Sequence, residues 1–369
     1  MKLEGAGLVN GTFMLRMYIP NGRLRADQLR CIARLAEERA RGLAALTMPS
    51  SVELDGLTIE SFHEISRELC EKGLTREDRK NDRVSITGCP VAGIDVGEIC
   101  DVSPLILRAQ QMLIEDASVY NLPRELRIGI SACPVACFHP DTTDIALIAT
   151  KRKRNSAPEV AFTLSVGGQL SPDSHRRVCL PVFIQWEQVL FVIETITKIL
   201  SGSARIREGD ESAMPRHLWN AESFLSVLRQ HLGILHDVSD SEATVLCDCC
   251  DHVGIHPQKQ HGRFYAGILL RNGSVTAAEM TAIADLAERY GSGDLRLTNM
   301  HNLIMLNVSK SNVDPLAAEL KERELRLQKG DGSCLCQGDQ ELPAMLTRRE
   351  LTLASEEGFS STRTVVAGP

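Results

Sequence analysis

Apolar residues gather into short runs separated by Gly, Asn and charged clusters, the pattern of a chain that mixes strands and helices. Phe13–Ile19 and Phe264–Leu270 are strand candidates, each leading to an Asn-Gly turn where glycine tolerates positive φ. A helix is predicted after each turn. In the later segment Thr276 and Glu279 have capping-box spacing, and Ile283, Leu286, Ala287 and Tyr290 recur at helical intervals. A second strand closes each unit, Leu303–Leu306 being the clearer example.

The two units are copies of one another. A shift of 251 positions superposes residues 13–54 on 264–305 without a gap. Phe13 falls on Phe264, Asn21-Gly22 on Asn272-Gly273, Leu35-Ala36-Glu37 on Leu286-Ala287-Glu288, and Leu46-Thr47 on Leu297-Thr298. A β-α-β unit cannot cover both faces of its own sheet, so the copies are expected to pair.

Between the copies, Arg127–Ser131, Ile145–Ala149 and Val160–Val166 read as short strands, and Trp186–Leu200 and Ala221–Leu232 as helices. The most apolar stretch, Val182 to Leu200, is interrupted by Gln185, Glu187, Gln188, Glu194 and Lys198. It reads as an amphipathic helix and excludes a membrane span there. The basic run Lys151-Arg152-Lys153-Arg154 beside Asn155, Ser156 and Pro158 reads as a solvated loop. Residues after Gly330 lack periodicity and read as a poorly ordered tail.

Composition changes this picture little. The chain has 369 residues, is 43% hydrophobic and carries a net charge of −7, which gives no support to nucleic-acid binding. Twelve cysteines without a secretion signal predict buried thiols or metal ligands in a reducing, cytoplasmic setting. No Gly-x-Gly-x-x-Gly or P-loop spacing occurs, so no nucleotide cofactor is indicated.

Three loops concentrate the chemistry: TGCPVAGID at 87–95, SACPVACFHP at 131–140 and VGGQLSPDSHRR at 166–177. Together with NLPREL at 121–126 and LTNMHNLIMLNV at 297–308, they resemble in order the siroheme nitrite/sulfite reductase family. The resemblance covers roughly residues 10–330 and looks like the N-terminal half of such an enzyme plus the second ferredoxin-like unit. It implies an α+β fold with two ferredoxin-like half-domains at 10–75 and 255–330. An α/β nitrite/sulfite-reductase-type domain at 76–235 and a tail at 331–369 complete the expected organisation. It also implies siroheme joined to a [4Fe-4S] cluster, a small-anion substrate and a protein partner supplying electrons or the missing half.

In the family the cluster cysteines lie in a second α/β domain, as Cys-x5-Cys and Cys-x3-Cys pairs. After the second ferredoxin-like unit this chain shows Cys334 and Cys336, a Cys-x-Cys spacing, so the usual cluster site is not expected here. Of the family's basic anion-holding positions, one falls on Pro49, one on Val84 with Arg83 adjacent, and two on Glu125 and Arg127. Arg16 matches an arginine that contacts siroheme in relatives. Arg16, Arg83 and Arg127 are therefore the candidate cofactor-binding residues.

Cys89, Cys133 and Cys137 are the candidate metal ligands, because the last two have Cys-x3-Cys spacing and the first lies on the preceding motif loop. The position six residues on from Cys89 is Asp95, a poor substitute for a thiolate, and Cys100 is the nearest spare thiol. Cys247, Cys249, Cys250, His252 and His256 form a second group, either a zinc site or a flexible cysteine-rich link. His139 and His175, with Asp141 and Asp173 nearby, suit acid–base work or turn capping, and Arg176-Arg177 could bind an anion. Cys31, Cys70 and Cys179 read as packing residues. Two functions remain open: a siroheme-associated redox protein incomplete on its own, or a non-catalytic tetrapyrrole- or partner-binding regulator on the same scaffold.

Overall fold

The computed structural model describes residues 6–9, 12–47, 50–74, 83–122, 125–133, 137–138, 140, 143–154, 157–167, 178–204, 221–232, 236–237 and 252–327. The first unit comprises β1 (Ala6–Val9), β2 (Thr12–Tyr18), β3 (Arg23–Arg25), α1 (Ala26–Arg39), β4 (Leu43–Thr47), β5 (Ser51–Leu57) and α2 (Ile59–Glu71). A central region follows with β6 (Val84–Gly88), α3 (Ser103–Glu115), β7 (Leu126–Ser131), β8 (Ile145–Arg154), β9 (Ala157–Val166) and β10 (Val178–Gln185). It ends with α4 (Val189–Ala204), α5 (Ala221–Leu232) and β11 (His236–Asp237). The second unit has β12 (Gly254–Pro257), β13 (Arg263–Ile268), β14 (Ser274–Thr276), α6 (Ala277–Tyr290), β15 (Asp294–Leu297), β16 (Leu303–Ser309) and α7 (Val313–Glu322).

The two repeats exchange strands. Their sheets run β1-β2-β5-β4-β14 and β12-β13-β16-β15-β3, so the short strand after each Asn-Gly turn completes the other copy's sheet. The turn makes this possible: Asn21 and Gly22 have φ 48° and 63°, and a Cβ on Gly22 would lie 2.5 Å from the Leu297 carbonyl oxygen. Helices α1 and α6 pack together, and Arg30 reaches from one to Asp285 and Glu288 on the other. One core serves both copies, drawing Leu15, Ile32 and Leu35 from the first and Ile283, Leu286 and Leu303 from the second. The expected pairing of the units is thus present as a shared core with swapped edges.

The central sheet runs β11-β10-β9-β8-β7-β6, parallel from β6 to β8 and antiparallel beyond. Its core takes Tyr265, Ile304 and Leu306 from the second unit, while Leu303 and Met305 turn to the shared core. Successive residues of a strand face opposite ways, so β16 is apolar throughout because both of its faces are covered.

Two local readings change. Lys151–Arg154 is not a loop but the end of β8, paired with β9. The hairpin is extended there by Arg152, which bridges to its cross-strand partner Glu159 and stacks over Phe183 at 5.0 Å. Val182–Gln185 belongs to β10, and the α-helix starts only at Val189. A continuous apolar run does not separate a buried strand from a buried helix, which is why the boundary was missed. The tail after residue 330 lies outside the described residues. Among the described residues no helix is long and apolar enough to cross a membrane.

Candidate metal and cofactor site

The parallel strands β6 and β7 each end in a motif loop, the position where open α/β sheets place ligands. After β6 the chain turns at Cys89, with the Ala92 amide donating to the Cys89 carbonyl at 3.0 Å and the Asp95 amide to Val91 at 3.0 Å. After β7, the Cys133 amide donates to Ser131 Oγ at 3.1 Å, and the Ile99 amide donates to the Ala132 carbonyl at 2.9 Å, tying the loops together. The result is a cluster of three buried thiols. The sulfurs of Cys89, Cys133 and Cys137 all lie within 4.8 Å of one another, and Cys89 and Cys137 are 3.1 Å apart. Burial, with the neighbouring Cys133 thiol second, pushes the Cys89 thiol well up; contact with Cys133 and Cys89 does the same to Cys137. The three sequence-predicted ligands are therefore brought together.

Asp95 borders this cluster. Its carboxylate accepts from the Gly97 amide at 2.9 Å and interacts with Cys133, and burial raises it above the usual carboxylate range. Cys100 is half-buried, with its thiol pushed up to about 11 by burial, and stands outside the cluster.

Cations lie behind the Cys89 loop. Arg23 of β3 and Arg296 of β15 are register partners across the exchanged edge, and Arg296 is only 7% exposed. Arg23 Nε, Arg296 Nη1 and Asn21 Nδ2 are buried without a hydrogen-bond partner among the described residues. Burial, and next the Arg23 charge, lower Arg296 to about 10, which leaves it cationic at neutral pH, and it senses the charge of Cys89. Asn299 closes the contact by donating to the Gly88 carbonyl at 3.4 Å.

The candidate arginines stand elsewhere. Arg127 is the second residue of β7 and Arg83 immediately precedes β6, so both mark the opposite ends of those strands from the thiols. Six residues separate Arg127 from Cys133, about 20 Å of extended chain. Arg127 pairs with Glu125 at 3.4 Å, Glu125 accepts from Ser85 Oγ at 2.8 Å, and Arg83 donates to the Leu122 carbonyl at 3.1 Å. Arg16 projects from β2 with its side chain 46% exposed, held by Glu53 at 2.6 Å; Thr47 donates to the same carboxylate oxygen at 3.1 Å. Two residues along the same face, Tyr18 joins β2 to β6: its hydroxyl donates to the Ile86 carbonyl and accepts from the Ile86 amide at 2.9 Å. Glu125 lies near enough to Tyr18 to add to the rise of its phenol.

Of the other candidates, His252 and His256 are buried and engaged. His252 Nδ1 lies 3.1 Å from the Tyr265 hydroxyl, and His256 Nε2 lies 2.8 Å from the Val253 carbonyl while its ring stacks on Tyr265 at 4.9 Å. Cys247, Cys249, Cys250, His139, Asp141, Asp173, His175, Arg176, Arg177, Pro49, Cys334 and Cys336 lie outside the described residues. Sequence reasoning passed over Tyr18, Arg23 and Arg296, and set Asp95 aside. A charge in the middle of the apolar Leu295-Arg296-Leu297 strand was the available signal for one of them.

An exchanged pair of ferredoxin-like units is thus packed on a thiol-bearing α/β sheet. Residues 8–72 and 256–323 match the nitrite/sulfite reductase ferredoxin-like half domain, and residues 80–230 match the nitrite and sulphite reductase 4Fe-4S domain. The chain belongs to the nitrite/sulfite reductase family, whose members use siroheme and a [4Fe-4S] cluster. It is 31% identical over 335 residues to the assimilatory ferredoxin-dependent nitrite reductase of Haloferax mediterranei, covering 83% of this chain and 57% of that one. It is 32% identical over 297 residues to a ferredoxin–nitrite reductase of Leptolyngbya laminosa, covering 78% and 57%. The structure superposes on the Mycobacterium tuberculosis NirA protein with a TM-score of 0.76 at 26% identity, covering 87% of this chain and 58% of that one. The chain thus spans a little over half the length of the curated relatives it matches.

The residues fit the two family cofactors differently. Accessible guanidinium groups at Arg16, Arg83 and Arg127 suit the carboxylates of a tetrapyrrole. A four-iron cluster normally takes four thiolates, whereas three described thiols gather here. They are also packed as tightly as ligands around a single ion, and a cube of iron and sulfide would need them wider apart.

Proposed function

We propose that this chain is a nitrite/sulfite reductase-like redox protein that associates with siroheme and acts with a protein partner. The observation that supports this reading is that Arg16 of β2 and Arg127 of β7 are each held by a neighbouring carboxylate, Glu53 and Glu125. Arginine forks hold carboxylates with paired, charge-assisted bonds, and siroheme is a carboxylate-bearing iron tetrapyrrole. When bound, it supplies the iron at which a small oxyanion such as nitrite or sulfite is reduced. The chain's own residues bind and orient: Glu53 and Thr47 hold Arg16, Glu125 holds Arg127, and Arg83 adds charge beside β6. A partner is proposed to supply the remaining metal ligands. The names of the relatives point to a ferredoxin-class electron donor. Free cysteines among the described residues suit a reducing, cytoplasmic setting.

A second reading has one observation in its favour. Val84 and Glu125 stand where the resemblance leads one to expect basic residues, and Glu125 accepts a hydrogen bond from Ser85 Oγ. A scaffold that binds a tetrapyrrole or a partner without reducing an anion follows from that. The experiment is purification of the full chain from cells that make siroheme, followed by absorption spectroscopy and assays of nitrite and sulfite reduction with reduced ferredoxin. Siroheme bands with turnover, alone or after adding a partner, support the redox reading. Bands without turnover support the second. A colourless protein that stays colourless with a partner refutes both siroheme readings.

A further inference from the structure

We propose that Cys89, Cys133 and Cys137, with Asp95 as fourth ligand, bind one thiophilic divalent ion, zinc foremost, at the carboxyl ends of β6 and β7. Three independent observations meet at this point. The first is spacing. Metal–thiolate bonds of about 2.3 Å in a tetrahedron put sulfurs about 3.8 Å apart. The three sulfurs here lie within 4.8 Å, and the shortest pair at 3.1 Å needs only a small opening to admit an ion. A zinc site accepts one carboxylate among thiolates, and Asp95 stands beside Cys133 but outside the group of three sulfurs, so its carboxylate must move in to complete the tetrahedron.

The second observation is charge. Three thiolates and one carboxylate carry −4, and a divalent ion leaves −2. Behind the Cys89 loop stand two cations, Arg23 and Arg296, each with a buried nitrogen that lacks a hydrogen-bond partner among the described residues. A buried guanidinium is costly unless an anion balances it. The anionic metal–ligand set supplies that balance, and Cys89 is within electrostatic reach of Arg296. The third observation is rigidity. The loops are cross-tied by the bond from Ile99 to Ala132, and Phe138 packs against Gly129 so closely that a Cβ there would lie 2.2 Å from its ring. The loops that carry the thiols are therefore tied together before the ion arrives. Binding moves the three thiol protons to solvent and forms three metal–sulfur bonds and one metal–oxygen bond, with no change of oxidation state.

The site is independent of the siroheme reading, since it faces the other ends of the strands. It is tested on the full chain by elemental analysis, acid-labile sulfide determination and substitution with Co2+. The expected result is one zinc per chain and, with Co2+, strong thiolate charge-transfer absorption plus the visible bands of a tetrahedral ion. Cys133→Ser and Cys137→Ser should each weaken binding at least tenfold, Asp95→Asn should weaken it while retaining charge-transfer absorption, and Cys100→Ser should leave it unchanged. The wild-type Co2+ spectrum does not depend on any variant folding. Iron with acid-labile sulfide that disappears in Cys137→Ser, a Cys89–Cys137 disulfide, or three thiols that bind no ion would each overturn the proposal.

Discussion

Tyr18 offers the sharpest test of how the ferredoxin-like sheet is fixed to the α/β sheet. Among the described residues strand β6 is the edge of its sheet, so the outward amide and carbonyl of Ile86 meet no neighbouring strand there. Ile86 is 1% exposed, and the Tyr18 hydroxyl satisfies both groups. Tyr18→Phe removes one oxygen and leaves two buried backbone groups unpaired. At about 1–3 kcal/mol for each unsatisfied group, allowing partial relaxation, the loss should be about 2–4 kcal/mol. Urea unfolding monitored by circular dichroism should show a lower midpoint at unchanged slope. A second signature lies in pH. Burial raises the Tyr18 phenol well above its ordinary value of 10.0, with the Ile86 bond opposing and Glu125 adding to the rise. Because the folded value exceeds the unfolded one, this contribution is intact below pH 10.0 and fades above it. The loss is about 1.4 kcal/mol per pH unit until the folded value is reached. The difference between wild type and variant should therefore shrink above that pH. A variant within about 0.5 kcal/mol of wild type, or one with the same alkaline slope, would refute the reasoning.

Gly129→Ala places a Cβ 2.2 Å and 2.6 Å from Phe138 ring carbons and should cost about 2–3 kcal/mol in thermal unfolding. It should also weaken the metal site, because Phe138 adjoins Cys137. Thr276→Ala removes a capping box in which the Glu279 amide donates to Thr276 Oγ1 at 3.1 Å and the Thr276 amide to Glu279 at 2.8 Å. Calorimetry should show a loss of about 1 kcal/mol, and no loss would mean that α6 is held by packing alone. Arg16→Ala should lower siroheme affinity while leaving zinc bound, read by absorption and elemental analysis on the same sample.

The internal repeat was legible because it is local: a strand, an Asn-Gly turn, a capped helix and a second strand leave period and punctuation in one stretch of chain. The exchange of β3 and β14 was not, since both are three-residue strands whose partners lie far away in sequence. Lys151–Arg154 misled for the same reason. Four successive basic residues look solvated until Glu159 and Phe183 are seen beside Arg152. At the site, cysteine spacing found the three thiols, because loops at the ends of neighbouring parallel strands converge. It reached Asp95 only as a poor substitute for a thiolate, and it missed the buried arginines, whose surroundings no spacing reports. Arg83 and Arg127 lie near the motif loops in sequence. Their distance from the thiols follows from strand direction, which no spacing rule reports.

The central claim is that this family scaffold binds siroheme through Arg16 and Arg127. Titrating siroheme into the full chain by absorption, beside Arg16→Ala, Arg127→Ala and the distant exposed Lys151→Ala, measures it most directly. The account predicts saturable binding at one equivalent, weakened by either arginine change and untouched by Lys151→Ala. Absence of binding, or equal affinity in all four proteins, would contradict it.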